Sequence, residues 1–403
     1  MSAWARLCGV LLAGPLVLAL LSWQGARPAT ALAAALAVGC CALWSVRALP
    51  VHFAPLLALL VCELFLAEPG VNLMAGLGLD PFWWMLGSMM LALAAWESGL
   101  TGVLMQPHGR LGALAGRVGA GLSGLAGTRA APLLAPFAAR DGCWGQGGAL
   151  LARLVLLPGH ILNLFALALL APRIGAQFTL LDWAALAILP GMALAVLAAW
   201  RAPGPQLSRT IAAPIAAAPL RLSLPQWLAA LALLLGFLGP ALAGWHGLPA
   251  GVWCLFIGLM VLSARLLPED RLARGVDWSL LLALGVATGL YGAIAPPLQA
   301  ALQDAAGAAT ASERALLLAA FLPLAVWAAF RLGGLMRAGL VVLPLAGIAA
   351  AGEAQQGAGW ILLTLMILHW CDIRAARPID GPGIAGAVVL TLTGICWYQL
   401  GVL

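Results

Sequence analysis

The chain has 403 residues, 64% of them hydrophobic and 8% charged, with a formal net charge of +6. So apolar a chain cannot cover itself with a water-compatible surface, which excludes a soluble domain and points to a lipid bilayer as its solvent. All twenty basic residues are arginine, spread over loops rather than gathered in a patch, so the charge does not point to nucleic acid.

Apolar runs able to cross about 30 Å of hydrocarbon as helices are expected at 7–23, 29–46, 50–67, 81–98, 149–171, 182–200, 227–245, 249–265, 278–297, 358–370 and 383–402. The first is read as a retained span, because no Ala-x-Ala-like site leads from it into a polar region and further spans follow at once. Most cysteines, such as Cys40, Cys41, Cys62, Cys254 and Cys396, lie inside these runs, and none forms a Cys-x-x-Cys pair, so they read as small core residues. Two Gly/Ala-rich stretches fit no simple span. Residues 109–140 carry Gly127-Thr128-Arg129 in their middle, and residues 314–351 hold two apolar arms around Arg331-Leu332-Gly333-Gly334, with Arg337 close by. Both are expected to be re-entrant hairpins with a polar, glycine-containing tip, a backbone allowed at membrane depth only where it is buried in protein or lines a watery cavity. An awkward span follows each hairpin. Pro158-Gly159-His160 interrupts 149–171, and His369-Trp370-Cys371-Asp372 ends 358–370. The Pro- and Arg-containing segment 201–226 reads as an interfacial linker.

The chain looks duplicated. Residues 80–100 and 277–298 each begin with an acid and tryptophan, carry a mid-segment glycine (Gly87, Gly285), and follow by about thirty residues a Leu-Pro that opens another apolar run (Leu49-Pro50, Leu248-Pro249). The expected fold is therefore an all-α polytopic membrane protein with about 11 transmembrane helices plus two re-entrant hairpins in two inverted repeats. The first repeat covers 1–200, with scaffold helices in 7–98, hairpin 109–140, broken helix 149–171 and helix 182–200. The linker is 201–226. The second repeat covers 227–403, with scaffold helices in 227–297, hairpin 314–351 and helices in 358–402. Arginines at 6, 47, 110, 117, 201, 209, 221, 265, 271 and 274 fall on one side if the spans alternate, while 68–80 and 298–312 have none, which makes the N-terminus cytoplasmic in a bacterial inner membrane. Asp80, Asp182 and Asp277 precede tryptophans at span starts and read as N-caps of their own helices.

From about residue 45 to the end, the order of segments resembles the divalent-anion/sodium symporter family of dicarboxylate and citrate carriers. The segments concerned are the Gly87 to Leu100 span, GTRAAPLLAPFA, LDWAALAILPGMALAVLAAW at 181–200, WHGLPAGVWCLFIGLM, GVDWSLLLALG at 275–285 and the terminal WYQLGVL. The resemblance implies a homodimer, a scaffold domain, and a transport domain of hairpins and broken helices that moves as an elevator. It also implies hairpin tips with Ser-Asn-Thr triads that hold sodium. This chain departs there: the first tip reads Ala126-Gly127-Thr128, the second LGGLM, and His160 stands where the citrate-like branch has asparagine. Leu368-His369-Trp370 is similar to that branch's Thr-His-Tyr.

Arginine replaces the lost oxygens. A guanidinium grips a carboxylate with two parallel bonds, so Arg129, Arg331 and Arg337 are candidate substrate ligands, with snorkelling or pairing to Asp372 or Glu97 as the plainer explanation. His160 can donate to an anion or titrate as a coupling proton site, and packing among helices would explain it equally. Thr128, Asn163, Gly333, Gly334 and His369 complete the candidate substrate site; Gly127, Thr128, Pro158, Gly159 and Asp372 are the candidates for a coupling ion. The expected function is secondary active transport of a small di- or tricarboxylate across the bilayer, coupled to sodium or protons, in a homodimer. No cofactor, resident metal or enzymatic activity is expected. The alternative is a transport-inactive structural subunit of a membrane complex, derived from such a transporter.

Overall fold

The computed structural model describes residues 3–25, 28–45, 50–65, 73–104, 150, 154, 160–174, 180–200, 222–306, 325–326, 334–348, 354–374, 386, 389–390 and 392–394. The protein is all-helical: every regular element among the described residues is a helix. The helices are α1 (Ala3–Trp23), α2 (Pro28–Ser45), α3 (Phe53–Phe65), α4 (Asp80–Glu97), α5 (Leu100–Leu104), α6 (Ile161–Ile174), α7 (Leu180–Trp200) and α8 (Leu224–Ala241), followed by the short α9 (Ala243–His246). Then come α10 (Ala250–Ser263), α11 (Glu269–Gly275), α12 (Trp278–Ala306), α13 (Gly334–Ile348) and α14 (Ala354–Arg374). Within this set, Leu224–Ala241 and Trp278–Ala300 are by themselves long and apolar enough to cross a membrane.

Close contacts fix the helix directions. α1 and α2 form an antiparallel pair in which Gly14 faces Ala35 and Gly39. The end of α2 meets the start of α3, where Trp44 Nε1 donates to the Val51 carbonyl at 2.9 Å. α4 and α10 start side by side, the Gly251 N–H donating to Asp80 Oδ1 at 2.8 Å, and run parallel with Gly87 against the Cys254 backbone and Met90 against Gly258. α8 runs against both: Gly99 lies by Gln226, and Trp253 Nε1 donates to the Leu235 carbonyl at 2.9 Å. α12 starts beside the end of α4, where Gly275 meets Leu93 and Arg271 Nε lies 3.7 Å from Glu97 Oε2. It also starts beside α3, through a hydrogen bond between His52 Nδ1 and Ser279 Oγ. One end of the bundle thus gathers the starts of α3, α8 and α12, and the other the starts of α4 and α10.

Two of these bonds join positions related by one sequence offset. An offset of 199 residues carries His52 onto Gly251 and Asp80 onto Ser279, so each acid-tryptophan helix sits on the helix that opens with Leu-Pro in the other half of the chain.

Several expectations are corrected. Asp80 does not cap its own helix: Leu79 is the N-cap of α4 and makes no side-chain cap bond, while the Asp80 carboxylate caps α10 instead. A carboxylate placed in the first turn satisfies whichever orphan amide lies nearest, and here that amide belongs to a neighbour. Asp277 does cap its own helix, accepting from the Leu280 N–H at 3.1 Å. The linker ends before residue 226, because Leu224 already starts α8, with Gln226 Oε1 reaching back to the Ser223 N–H at 2.9 Å in the manner of a capping box. The stretch 68–80, expected as loop, contains a 3₁₀ helix at Leu73–Gly78 that packs onto α12 at Gly285, where a Cβ on Gly76 would lie 2.0 Å from the Gly285 carbonyl oxygen. Finally, 358–370 extends to Ala354–Arg374, so His369 to Asp372 lie within a helix instead of ending one. Among the described residues, α6 from Ile161 to Leu170 and α14 from Gly359 to Trp370 are buried at every position.

Candidate functional site

Burial all round would normally select an apolar side chain at every position. α6 and α14 break that rule at a single meeting point. His160 (4% exposed) and Asn163 (0%) come from the start of α6, and His369 (1%) from α14. The two imidazole rings stand edge to face at 4.7 Å between centroids and 89° between planes, and His369 Nε2 lies 3.4 Å from Asn163 Oδ1. Unpaired polar groups cost about 1–3 kcal/mol when buried, so contacts among these three side chains help to fix how the two helices meet.

Local chemistry explains how His160 comes to sit there. Proline removes a backbone donor and glycine adds backbone freedom just before His160, and α6 begins directly after it. His160 occupies the N-cap position: its Nδ1 accepts the Leu162 N–H at 3.2 Å and its carbonyl accepts the Asn163 N–H at 3.0 Å. Two of the amides left unpaired at a helix start are thereby satisfied by one residue. The buried Thr288 and Thr364 behave differently, each donating its hydroxyl to the carbonyl four residues back in its own helix, at 2.8 and 2.7 Å. They connect nothing, whereas the two histidines and the asparagine join helices whose sequence positions differ by 206.

Other sequence candidates are placed elsewhere. Gly334 opens α13 with φ +75°, the left-handed conformation in which glycine alone is unstrained. Gly339, further along α13, meets the Leu162 side chain, so α13 packs against the start of α6. Arg337 lies within α13 rather than in a tip preceding it, and its Nη1 donates to the Trp44 carbonyl at 3.3 Å, in the last turn of α2. Two residues along a helix is more than half a turn, so Arg337 and Gly339 occupy different faces. Asp372 lies one turn beyond His369 on α14 and is half-buried. Gly127, Thr128, Arg129, Pro158, Gly159, Arg331 and Gly333 lie outside the described residues. The joining of His369 to Asn163 was not visible in the sequence; the signal that points toward it is an amide and an imidazole each set in an otherwise unbroken apolar run. Among the described residues no group of three or more His, Cys, Asp or Glu could hold a metal ion.

No protein-family model matches the chain, and no curated protein matches it.

Proposed function

We propose that the protein is a polytopic inner-membrane secondary transporter of small organic anions, di- or tricarboxylates by the resemblance of its segment order, with two inverted repeats and alternating access. The observation that carries this reading is the buried His160–Asn163–His369 cluster: polar groups from the two halves of an apolar chain, brought together at one point between α6 and α14. A substrate site at the interface of two repeats has this form.

The surface supports a bilayer as the surroundings. Large apolar side chains are exposed in stripes at helical spacing: Leu12, Leu16 and Leu20 on α1, Leu56, Leu60 and Leu64 on α3, and Leu228, Leu231, Leu235 and Leu238 on α8. In water such stripes would drive aggregation; in lipid they cost nothing. Exposed tryptophans collect at the two ends, with Trp23, Trp83 and Trp245 at the end where α4 starts and Trp96, Trp227 and Trp278 at the end where it finishes. That is the distribution of two interfacial aromatic belts. Arg265, Arg271 and Arg274 lie at the second end, which is assigned to the cytoplasm together with the start of α1.

The pair of bonds related by the offset supports inversion. α3 and α12 start at one end, α4 and α10 at the other. α3 and α10, each opened by Leu-Pro, therefore run in opposite directions, as do α4 and α12.

Reconstitution into liposomes tests the proposal. Radiolabelled succinate or citrate is expected to enter vesicles holding the full chain and not empty vesicles, with uptake reduced at least tenfold in Asn163→Leu that still elutes as a folded species. Uptake is expected without sodium, because the first tip lacks the Ser and Asn of the resembled triad and hard oxygen ligands are few. Strict sodium dependence at all pH values would overturn that part. Failure to bind or move any acid would favour the structural-subunit alternative.

A further inference from the structure

We propose that the first turn of α13 is a gate over the His160–Asn163–His369 cluster, latched by the bond from Arg337 to the Trp44 carbonyl; that the cluster holds substrate rests on the transporter reading above. α13 lies against both helices that carry the cluster. Gly339 meets the side chain of Leu162, which stands between His160 and Asn163 in the sequence, and Gly347 meets Ile361 of α14, about two turns before His369.

The other helices packed on α6 are held more firmly. α4 and α12 both touch it. α4 is tied to α10 by the close approach of Gly87 to the Cys254 backbone and by the bond from the Gly251 N–H to Asp80. α12 is tied by the approach of Gly76 to the Gly285 carbonyl and by the bond between Ser279 and His52. Moving either helix would open a backbone contact and break a polar bond. α13 instead turns a glycine toward the end of a leucine side chain: a Cβ on Gly339 would lie 2.6 Å from Leu162 Cδ2, and without that Cβ the two surfaces can part without interlocking.

The end of α13 near the start of α6 is also its less buried end. Gly334, Leu335, Met336 and Arg337 are each half-buried, while Ala338, Gly339 and Leu340 are buried. Gly334 has φ +75° and open space where a Cβ would stand, so the helix is entered through a residue with wide backbone freedom. Arg337 and Gly339 occupy different faces, which sets this first turn between α6 and the last turn of α2. The bond that holds it to α2, from Arg337 Nη1 to the Trp44 carbonyl, is 3.3 Å, at the long end of hydrogen-bond distances. The far end of α13 is tied separately, by Gln299 Nε2 donating to the Gly347 carbonyl at 3.2 Å, and serves as the pivot. Trp44 lies at the end of the bundle that gathers the starts of α3, α8 and α12, so the gate opens toward the end assigned above to the cytoplasm.

A gate changes rates and leaves affinity alone. Where the open form is the minor one, substrate enters and leaves only through it, so freeing the latch raises kon and koff by the same factor and keeps Kd in place.

Diethyl pyrocarbonate, which acylates imidazole nitrogens that water can reach, probes the cluster without any substrate. The chain has five histidines, each read by peptide mass spectrometry of the full chain in nanodiscs. His160 and His369 are expected to react about two- to tenfold faster in Arg337→Gln than in the parent, the factor that one hydrogen bond is worth, while His246 at the opposite end of the bundle keeps its rate. Gln299→Leu, which frees only the pivot, is expected to leave both site histidines within about twofold of the parent. Equal rates in the parent and Arg337→Gln, a rise that includes His246, or the same rise in Gln299→Leu would each overturn the gate. In stopped-flow binding of succinate or citrate, Arg337→Gln is expected to raise both rate constants by the same factor as the acylation, and a change confined to one of them would also overturn it. Faster acylation of the two histidines in a protein that binds neither acid would instead overturn the transporter reading and leave the gate standing.

Discussion

Replacing Gly87 by alanine should weaken the protein, although alanine is the better helix former. A Cβ built on Gly87 in α4 lies 2.6 Å from the Cys254 carbonyl carbon, 2.7 Å from the Leu255 nitrogen and 2.8 Å from the Cys254 oxygen, all backbone atoms of α10. Ordinary contact begins at 3.4 Å, so α4 and α10 must part by about 0.8 Å, and no rotamer change relieves a clash with backbone. Overpacking of this kind costs about 1–3 kcal/mol, and the upper half of that range applies when both partners are fixed. Helix propensity returns about 1 kcal/mol. The net loss is about 1–2 kcal/mol, a fall in Tm of a few degrees, measured by intrinsic fluorescence during heating in a mild detergent. Gly292→Ala on α12 is the control: its Cβ meets nothing within 4 Å, so only the propensity term remains and Tm should rise. If Gly87→Ala is as stable as the parent, or if both variants move in the same direction by the same amount, the close α4–α10 contact is refuted.

Asp80→Ala removes a 2.8 Å charge-assisted bond to the Gly251 N–H and should cost about 1–2 kcal/mol in denaturant unfolding, with Asp80→Asn, which keeps an acceptor, losing less than half of that. Gly334→Ala has no clash to meet, yet φ +75° should make it cost about 1–2 kcal/mol from backbone strain alone, read as a lowered Tm in the same fluorescence scan. Arg337→Gln should lower stability by about 0.5–1.5 kcal/mol through loss of the bond to the Trp44 carbonyl while shifting succinate or citrate affinity less than twofold; a loss of tenfold or more by calorimetry would return Arg337 to the substrate site.

Apolar runs could be read as helices because the signal is local: each stretch needs only its own residues to satisfy its backbone, and the lack of competing polar patterns leaves helix as the expected form. Boundaries failed where the deciding bond was short-range but unrecognised, as with Ser223 and Gln226 at the start of α8, or where two polar residues looked like an end, as with His369 and Asp372 inside α14. The argument for a repeat came from an offset in the sequence, carried by the acid-tryptophan helices with their mid-segment glycines. What those glycines do was not legible. Gly87 and Gly285 admit a neighbour's backbone in one case and the Leu77 and Phe82 side chains in the other.

His160, Asn163 and His369 could each be named from the sequence as polar residues out of place in apolar surroundings, but the sequence could not say that they share a site. A histidine in one helix carries no mark of the helix it will face, because the meeting depends on how the chain packs over the 206 positions that separate His369 from Asn163, at the entropic cost of closing that chain. The same holds for Asp80, whose carboxylate chemistry is fixed by its identity and whose partner, the amide of Gly251, is fixed only by which helix end the tertiary structure brings within 2.8 Å. Sequence determined the helices and the kinds of polar group available. Tertiary structure decided which of them meet, since a buried polar group must take its partner from whatever the fold places beside it.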